Sequence, residues 1–282
     1  MTHKLKLLLF IPALMLLFGC PQPPTEISGR RICPGKANIA EAVRLLALQK
    51  QNVQPFTAPA ECTISWRQTD GTEKDENVPG KLAFVPPDKI YFKGDKFGEV
   101  RFGTNETEFW LRSKAGDMDS YWWGDKRQAR MCREILLFDP ANIAEAFGVV
   151  QVTTDWKLWH RDGYDILDLF NAGKREKRLY VNTCDYHIEL IEYFDTQQLK
   201  KASVELNSYT TSREGFMVPS NIRLAYYDED GLEESSVQIK LKNIQSLPPE
   251  KQSKKLFARP ARDGYKNVYR LNENCKFEIQ ED

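Results

Sequence analysis

The sequence predicts a mainly β chain: one strongly curved antiparallel sheet of about eleven or twelve strands, with two helical segments to cover it. Apolar residues alternate with a period of two from Cys62 onward, and turn residues interrupt the alternation every ten to fifteen residues or so. No helical pattern separates the first six apolar runs, so they pair antiparallel; parallel pairing would require long crossover connections.

The elements follow in order. Asn38 caps an amphipathic helix whose apolar side carries Ile39, Val43 and Leu46, flanked by Ala40, Ala42 and Ala47. After Pro59 the period changes: Cys62, Ile64 and Trp66 alternate with polar neighbours up to the Asp70-Gly71 turn. Leu82 and Phe84 come next and are closed by Pro86-Pro87-Asp88; Ile90 and Phe92 follow, then a turn between Gly94 and Gly98. Val100 and Phe102, Phe109 and Leu111, and Tyr121 and Trp123 complete the meander. Residues 132–148 break it with helical material, in which Pro140 suits the first turn of a second helix, Ala141 to Phe147, and Gly148 its stop. Strand patterns resume at 164–170, 178–182, 186–194, 202–209, 221–227 and 237–244, with Asp230-Gly231 as the hairpin signal between the last two. Leu247-Pro248-Pro249 ends the sheet, and residues 261–282 read as a polar C-terminal tail.

The amino terminus is a leader. Lys4 and Lys6 form a basic start, and Leu5 to Phe18 make an apolar run too short to span a bilayer. Leu17-Phe18-Gly19-Cys20 resembles the bacterial lipoprotein signal, which implies cleavage after residue 19 and lipidation of Cys20. The alternative is an ordinary secretory leader with an incidental cysteine. Several acyl chains together hold a protein firmly to a membrane surface without crossing it. Pro21, Pro23 and Pro24 then open an extended tether over residues 20–37, ahead of a domain spanning 38–260. Pro21 is not the Asp that retains lipoproteins at the inner membrane of enteric bacteria, which favours the periplasmic face of the outer membrane.

Charge and cysteine content narrow the function classes. The chain has 40 Lys+Arg against 40 Asp+Glu, and loss of Lys4 and Lys6 with the leader leaves 38 against 40. That balance, with no basic stripe, argues against a nucleic-acid partner. Five cysteines remain beyond Cys20: Cys33, Cys62, Cys132, Cys184 and Cys275. An exported compartment permits up to two bridges with one thiol left over, and the sequence does not choose among the 15 pairings. Neither a CxxC pair nor a suitably spaced His160 or His187 supports a zinc site, and no cofactor is implied.

The templates for catalysis are missing: no GxSxG, P-loop, GxGxxG after a strand or HExxH. Asp228-Glu229-Asp230-Gly231 lacks the spacing of a calcium loop and reads as a solvated hairpin tip. A non-enzymatic role is expected. Aromatic and apolar residues on alternating strand positions stand out instead: Ile64, Trp66, Phe84, Phe92, Phe102, Phe109 and Trp123. They make an ordinary core, or they line an apolar cavity of the kind that takes acyl chains.

The segment Gly80-Lys81-Leu82-Ala83-Phe84-Val85-Pro86-Pro87-Asp88-Lys89-Ile90-Tyr91-Phe92 resembles a hairpin of the lipoprotein localisation (LolA/LolB-like) family. Glu99 to Trp110 resembles that family's next hairpin, and Met217 to Leu224 its late strand. The resemblance implies an unclosed β-barrel of about eleven strands with an α lid over an acyl-binding cavity. It implies as partners the acyl chains of lipids or lipoproteins, a membrane surface reached through Cys20, and a periplasmic carrier protein. Phe97, before Gly98, occupies the loop where the family's receptor branch presents an exposed apolar residue to a membrane or partner. The expected role is lipid or lipoprotein transfer to the outer membrane; the alternative is an envelope sensor or scaffold that binds a partner protein. The extra cysteines and the C-terminal tail depart from the family pattern.

Overall fold

The computed structural model describes residues 32–68, 70–95, 99–114, 119–132 and 145–280. Cys20, the tether up to residue 31, Phe97 and most of the expected 141–147 helix lie outside these residues.

Helix α1 (Ile39–Asn52) starts at its expected cap. Asn38 is extended and its Oδ1 accepts the Glu41 N–H at 3.0 Å, supplying an acceptor that the first turn otherwise lacks. Ala42 and Leu46 are buried and Ile39 and Leu45 pack partly against the core, whereas Ala40 and Ala47 are exposed. The buried stripe is thus narrower than the alanine content suggests.

The strands are β1 (Phe56–Arg67), β2 (Glu73–Val85), β3 (Lys89–Asp95), β4 (Glu99–Thr104), β5 (Glu108–Ser113), β6 (Ser120–Asp125), β7 (Lys157–Arg161) and β8 (Tyr164–Asn171). They continue with β9 (Lys174–Asn182), β10 (Ile188–Phe194), β11 (Lys200–Thr211), β12 (Met217–Tyr227), β13 (Glu233–Leu241), β14 (Gln245–Ser246), β15 (Asn267–Leu271) and β16 (Phe277–Ile279). All belong to one 16-stranded sheet in the order β16-β15-β6-β5-β4-β3-β2-β1-β13-β12-β11-β10-β9-β8-β7, with β14 paired to β1. Two antiparallel meanders, β1–β6 and β7–β13, are joined where β1 pairs with β13. Among the described residues the terminal strands β7 and β16 do not pair with each other, so the sheet is unclosed.

Among the described residues sixteen strands replace the expected eleven or so. Twelve stand where alternation places them; β7, β14, β15 and β16 are additional. The stretch read as a polar tail contributes β15, which runs parallel to β6, and β16. Helix α2 (Lys126–Met131) begins ahead of the helical material expected from Cys132, because Asp125 caps it by accepting from Arg127 and Gln128 N–H groups.

Residues paired across a ladder share a face. Phe56, Phe84, Ile90, Thr104 and Phe109 therefore line one face, as do Leu82, Phe92, Phe102 and Leu111. The row Leu167, Leu179, Ile191, Val204, Leu224, Val237 and Ile64 continues that inner face across the second meander. The main core sits there, with Ala42 and Leu46 of α1 packed into it. The inner face is curled. Glu145 bonds Lys177 on β9 while Phe147 packs on Phe84 of β2, strands that a flat sheet would hold about 29 Å apart.

Two disulfides fasten chain segments far apart in sequence: Cys33–Cys184 and Cys132–Cys275. Cys62 is the free, buried thiol among the described residues.

Candidate functional site

The inner face is covered by α1 and by residues 145–150, and a cleft opens between them at one end of the sheet. Phe147 is the central side chain of the cover. Its ring lies 4.7 Å from Phe84 and 5.5 Å from Phe56, and Phe56 lies 5.5 Å from Phe84 and 6.4 Å from Phe216. Fully burying each such ring stabilises the closed arrangement by roughly 1.5–3 kcal/mol. Gly148 follows with φ +81°, a left-handed conformation that lets the chain turn directly after the aromatic.

Polar contacts hold the same cover. Lys177 Nζ donates to both Glu145 carboxylate oxygens, at 2.6 and 2.8 Å, and the Tyr193 hydroxyl donates to Oε2 at 2.5 Å. At the other side, Gln49 of α1 donates its side-chain amide to Asp185 O at 3.3 Å.

The cleft has a volume of about 710 Å³. The C-terminal end of α1 (Gln49, Val53), Phe147, Ile188, Tyr209 and Phe216 contribute to its walls. His187 stacks on Tyr209 with ring centres 4.1 Å apart and planes within 9°. The Tyr209 hydroxyl donates to Ile188 O at 2.7 Å, and burial pushes its pKa well above the ordinary tyrosine range. It remains a neutral donor at any physiological pH. Asn52, Gln54, Glu214 and Ser246 line the cleft as well, so its walls mix apolar and polar side chains.

The sequence-predicted lining residues divide among several places. Phe84 and Phe92 are fully buried and Phe102 is buried; Phe92 stacks on Phe102 at 4.9 Å. Ile64 and Trp66 lie on the same inner face toward its far rim, half-buried, where Trp66 is paired with Lys74 and Ser235. Phe109 shares that face but packs with Ala129 and Cys132 of the α2 region and with Leu271 in a separate cluster. Trp123 does not join them: it is paired with Trp110, and through Gly103 with Tyr91, on the outer face. The run Tyr121-Trp122-Trp123 offers no polar–apolar alternation, so sequence alone could not assign its faces.

Phe56, Phe147, Phe216 and the Glu145–Lys177 pair carry little signal in the sequence. Phe56 stands beside Pro55 ahead of the visible alternation, and Phe147 reads only as the end of a helix. Lys177 falls at the polar start of β9, where a charge reads as solvated until the tertiary partner is known.

Two other sequence candidates, His160 and Asp228, are structural, His160 through its neighbour Asp165. Asp165 is fully buried and accepts from Tyr186 OH and the Lys36 N–H, each at 3.0 Å, with His160 Nδ1 at 2.8 Å. Burial and the Asp165 carboxylate together raise the Tyr186 pKa well above the ordinary range. Asp228 accepts from the Asp230 and Leu232 N–H groups, which fixes the β12–β13 hairpin tip. Among the described residues no group of three or more His, Cys, Asp or Glu side chains is placed to hold a metal, and no helix is long and apolar enough to cross a membrane.

No family model matches the chain, and no curated protein does. Among solved structures it is similar to a LolA superfamily protein from Nitrosomonas europaea, at 9% identity over 77% of this chain and 97% of that one, with a TM-score of 0.47. It is also similar to a domain described as outer membrane lipoprotein-sorting from Vibrio parahaemolyticus, at 7% identity over 79% of this chain and 100% of that one, TM-score 0.49. A DUF1329 family protein from Desulfovibrio piger matches at 11% identity over 79% of this chain and 100% of that one, TM-score 0.42.

Proposed function

We propose that the chain is an envelope lipoprotein that takes an acyl chain between the cover and the inner face, in lipid or lipoprotein transfer. The observation that carries the reading is the 710 Å³ cleft, whose wall residue Phe147 leads inward to Phe56 and Phe84. Displacing Phe147 would open the aromatic face to a ligand of matching chemistry, and the rings would exchange one apolar contact for another. The cover then acts as a lid, released when the Glu145–Lys177 pair parts. The resemblance of Leu17-Phe18-Gly19-Cys20 to a lipoprotein signal supports attachment to a membrane, with the periplasmic face of the outer membrane favoured by Pro21. Two disulfides support an oxidising, exported compartment. The role is binding and transfer rather than catalysis, with Phe97 as the apolar tip offered to a membrane or a carrier protein.

Native mass spectrometry after detergent-free purification, together with uptake of a fluorescent fatty acid, tests this reading. Bound acyl lipid is expected; its reproducible absence, with no uptake, would overturn it.

One observation favours a second reading. Phe84 and Phe92 are fully buried in the closed form, as in a solid core. A sensor or scaffold of this fold would keep that core closed and bind a partner protein on its surface. A stable complex in pull-downs with no lipid uptake would favour it.

A further inference from the structure

A second site lies on the opposite side of the sheet. The segment from Leu247 to Pro260 crosses the outer face of the first meander, with Leu247 and Phe257 buried against Ala83. Backbone acceptors fix it in place: Phe257 O receives the Asn105 amide at 3.2 Å, and Pro260 O receives the Tyr121 hydroxyl at 2.9 Å. Arg259 ties down its end, with Nε 2.9 Å from Glu108 and the guanidinium 4.0 Å from the Trp123 ring centre.

Between this segment and strands β3 and β4 lies a groove of about 540 Å³. Arg101, Lys251, Lys255 and Arg259 line it beside Tyr91 and Ser253, and no carboxylate does. Glu99 engages Arg101 at 2.7 Å and also Arg112, and Glu108 engages Arg259. Lys251 and Lys255 have no ion pair among the described residues, so cations outnumber carboxylates around the groove.

The outer face beside it is also rich in unused donors. Arg101 Nε, Arg112 Nε, Trp110 Nε1 and Trp123 Nε1 are each buried without a hydrogen-bond acceptor. Arg101 is paired with Arg112 across the β4–β5 ladder, and Trp110 with Trp123 across β5–β6, so the four form one patch. Buried donors are ordinarily satisfied; here four such donors stand beside one such acceptor, Glu99 Oε1, which faces Arg112. Of these four residues Arg101 also lines the groove, and arginine with lysine is the pairing that holds phosphate.

We propose that this groove binds a phosphate-bearing anion, held by Arg101, Arg259, Lys251 and Lys255. The phosphate comes either from a phospholipid headgroup or from a soluble phosphoester. The site is separate from the cleft under α1 and stands whether or not an acyl chain binds there.

The test uses the full chain carrying Cys20→Ser, so that an acyl anchor does not dominate membrane binding. Calorimetric titration with inorganic phosphate and with sn-glycerol 3-phosphate reads soluble binding. Flotation with phosphatidylglycerol vesicles, against phosphatidylcholine, reads headgroup binding. The double variant Lys251→Gln/Lys255→Gln, which changes two exposed residues and leaves their backbone hydrogen bonds intact, is expected to keep its melting temperature and weaken binding at least tenfold. A control of equal charge loss, Lys74→Gln/Lys240→Gln, is expected to bind as the parent does. Saturable phosphate binding lost only in the groove variant supports a soluble phosphoester. Vesicle binding alone, lost only in the groove variant, supports a headgroup. Binding in neither assay, or equal loss in both variants, would overturn the proposal.

Discussion

Lys177 of β9 and Glu145 of the cover form a bidentate ion pair, 2.6 and 2.8 Å from Nζ to the two carboxylate oxygens, in a setting where both side chains are largely buried. Removing one partner leaves the other charge desolvated without compensation, which costs more than removing both. Lys177→Met is expected to destabilise the fold by about 2–4 kcal/mol, and Lys177→Met/Glu145→Leu by less. Urea unfolding of the four members of the cycle measures the coupling. Additive losses would show that the pair does not hold the cover.

Asp165 serves three donors from three places in the chain: Lys36 ahead of α1, His160 on β7 and Tyr186 in the β9–β10 turn. Its carboxylate thereby joins the segment before α1 to the β7 edge, near the Cys33–Cys184 bridge. Asp165→Ala strands the Tyr186 hydroxyl and a backbone N–H, and about 2–4 kcal/mol of stability is expected to be lost. A melting temperature within a degree or so of the parent would refute this.

Cys62 is enclosed, and burial pushes its thiol pKa up to about 12 from the ordinary value of 9.0. Between those values the unfolded chain has released the proton that the native chain retains. Native protein then binds more protons than unfolded protein, so stability falls as pH rises. Tyr186 and Tyr209, also raised, act in the same direction from about pH 10 upward. Stability is expected to be level from pH 7 to 8 and to decline steadily above pH 9. In the Cys20→Ser chain without reductant, a thiol reagent should label nothing in the native state and one thiol after denaturation. Rapid native labelling would place Cys62 at the surface.

Most of the sheet was legible because each of its strands has one buried face, which imposes alternation on the sequence. The additional strands lack that imprint. β7 is an exposed edge strand, Lys157 to Arg161, in which Trp159 faces solvent and four of five residues are exposed. β15 is recruited by parallel pairing to β6, 147 residues earlier, and nothing local encodes such a partner. β2 extends back through the charged run Glu73–Asn77 because it pairs with β1 along its full length, and ladder hydrogen bonds need no apolar side chain. The candidate site was legible in part. Phe84, Phe92 and Phe102 stand on the inner face as alternation requires, but the cover is a tertiary feature. The pairing of Glu145 with Lys177, 32 residues apart, depends on the curl of the sheet rather than on any spacing.

Phe147 distinguishes the two functional readings. Its ring fills the space between Phe56 and Phe84 in the closed form, and Phe147→Ala would leave a void lined by aromatic carbon. Truncating a buried Phe costs about 3–5 kcal/mol, so a substantial drop in melting temperature is expected in either case. The readings separate on what enters the void. A transfer protein should take up a fluorescent fatty acid more readily once its lid residue is trimmed, and bound lipid should recover part of the lost stability by mass action. A scaffold with a closed core should lose stability without gaining uptake. Uptake and melting temperature, measured on the same Phe147→Ala sample with and without fatty acid, therefore decide between them. Unchanged uptake with no stabilisation by fatty acid would end the case for Phe147 as a lid.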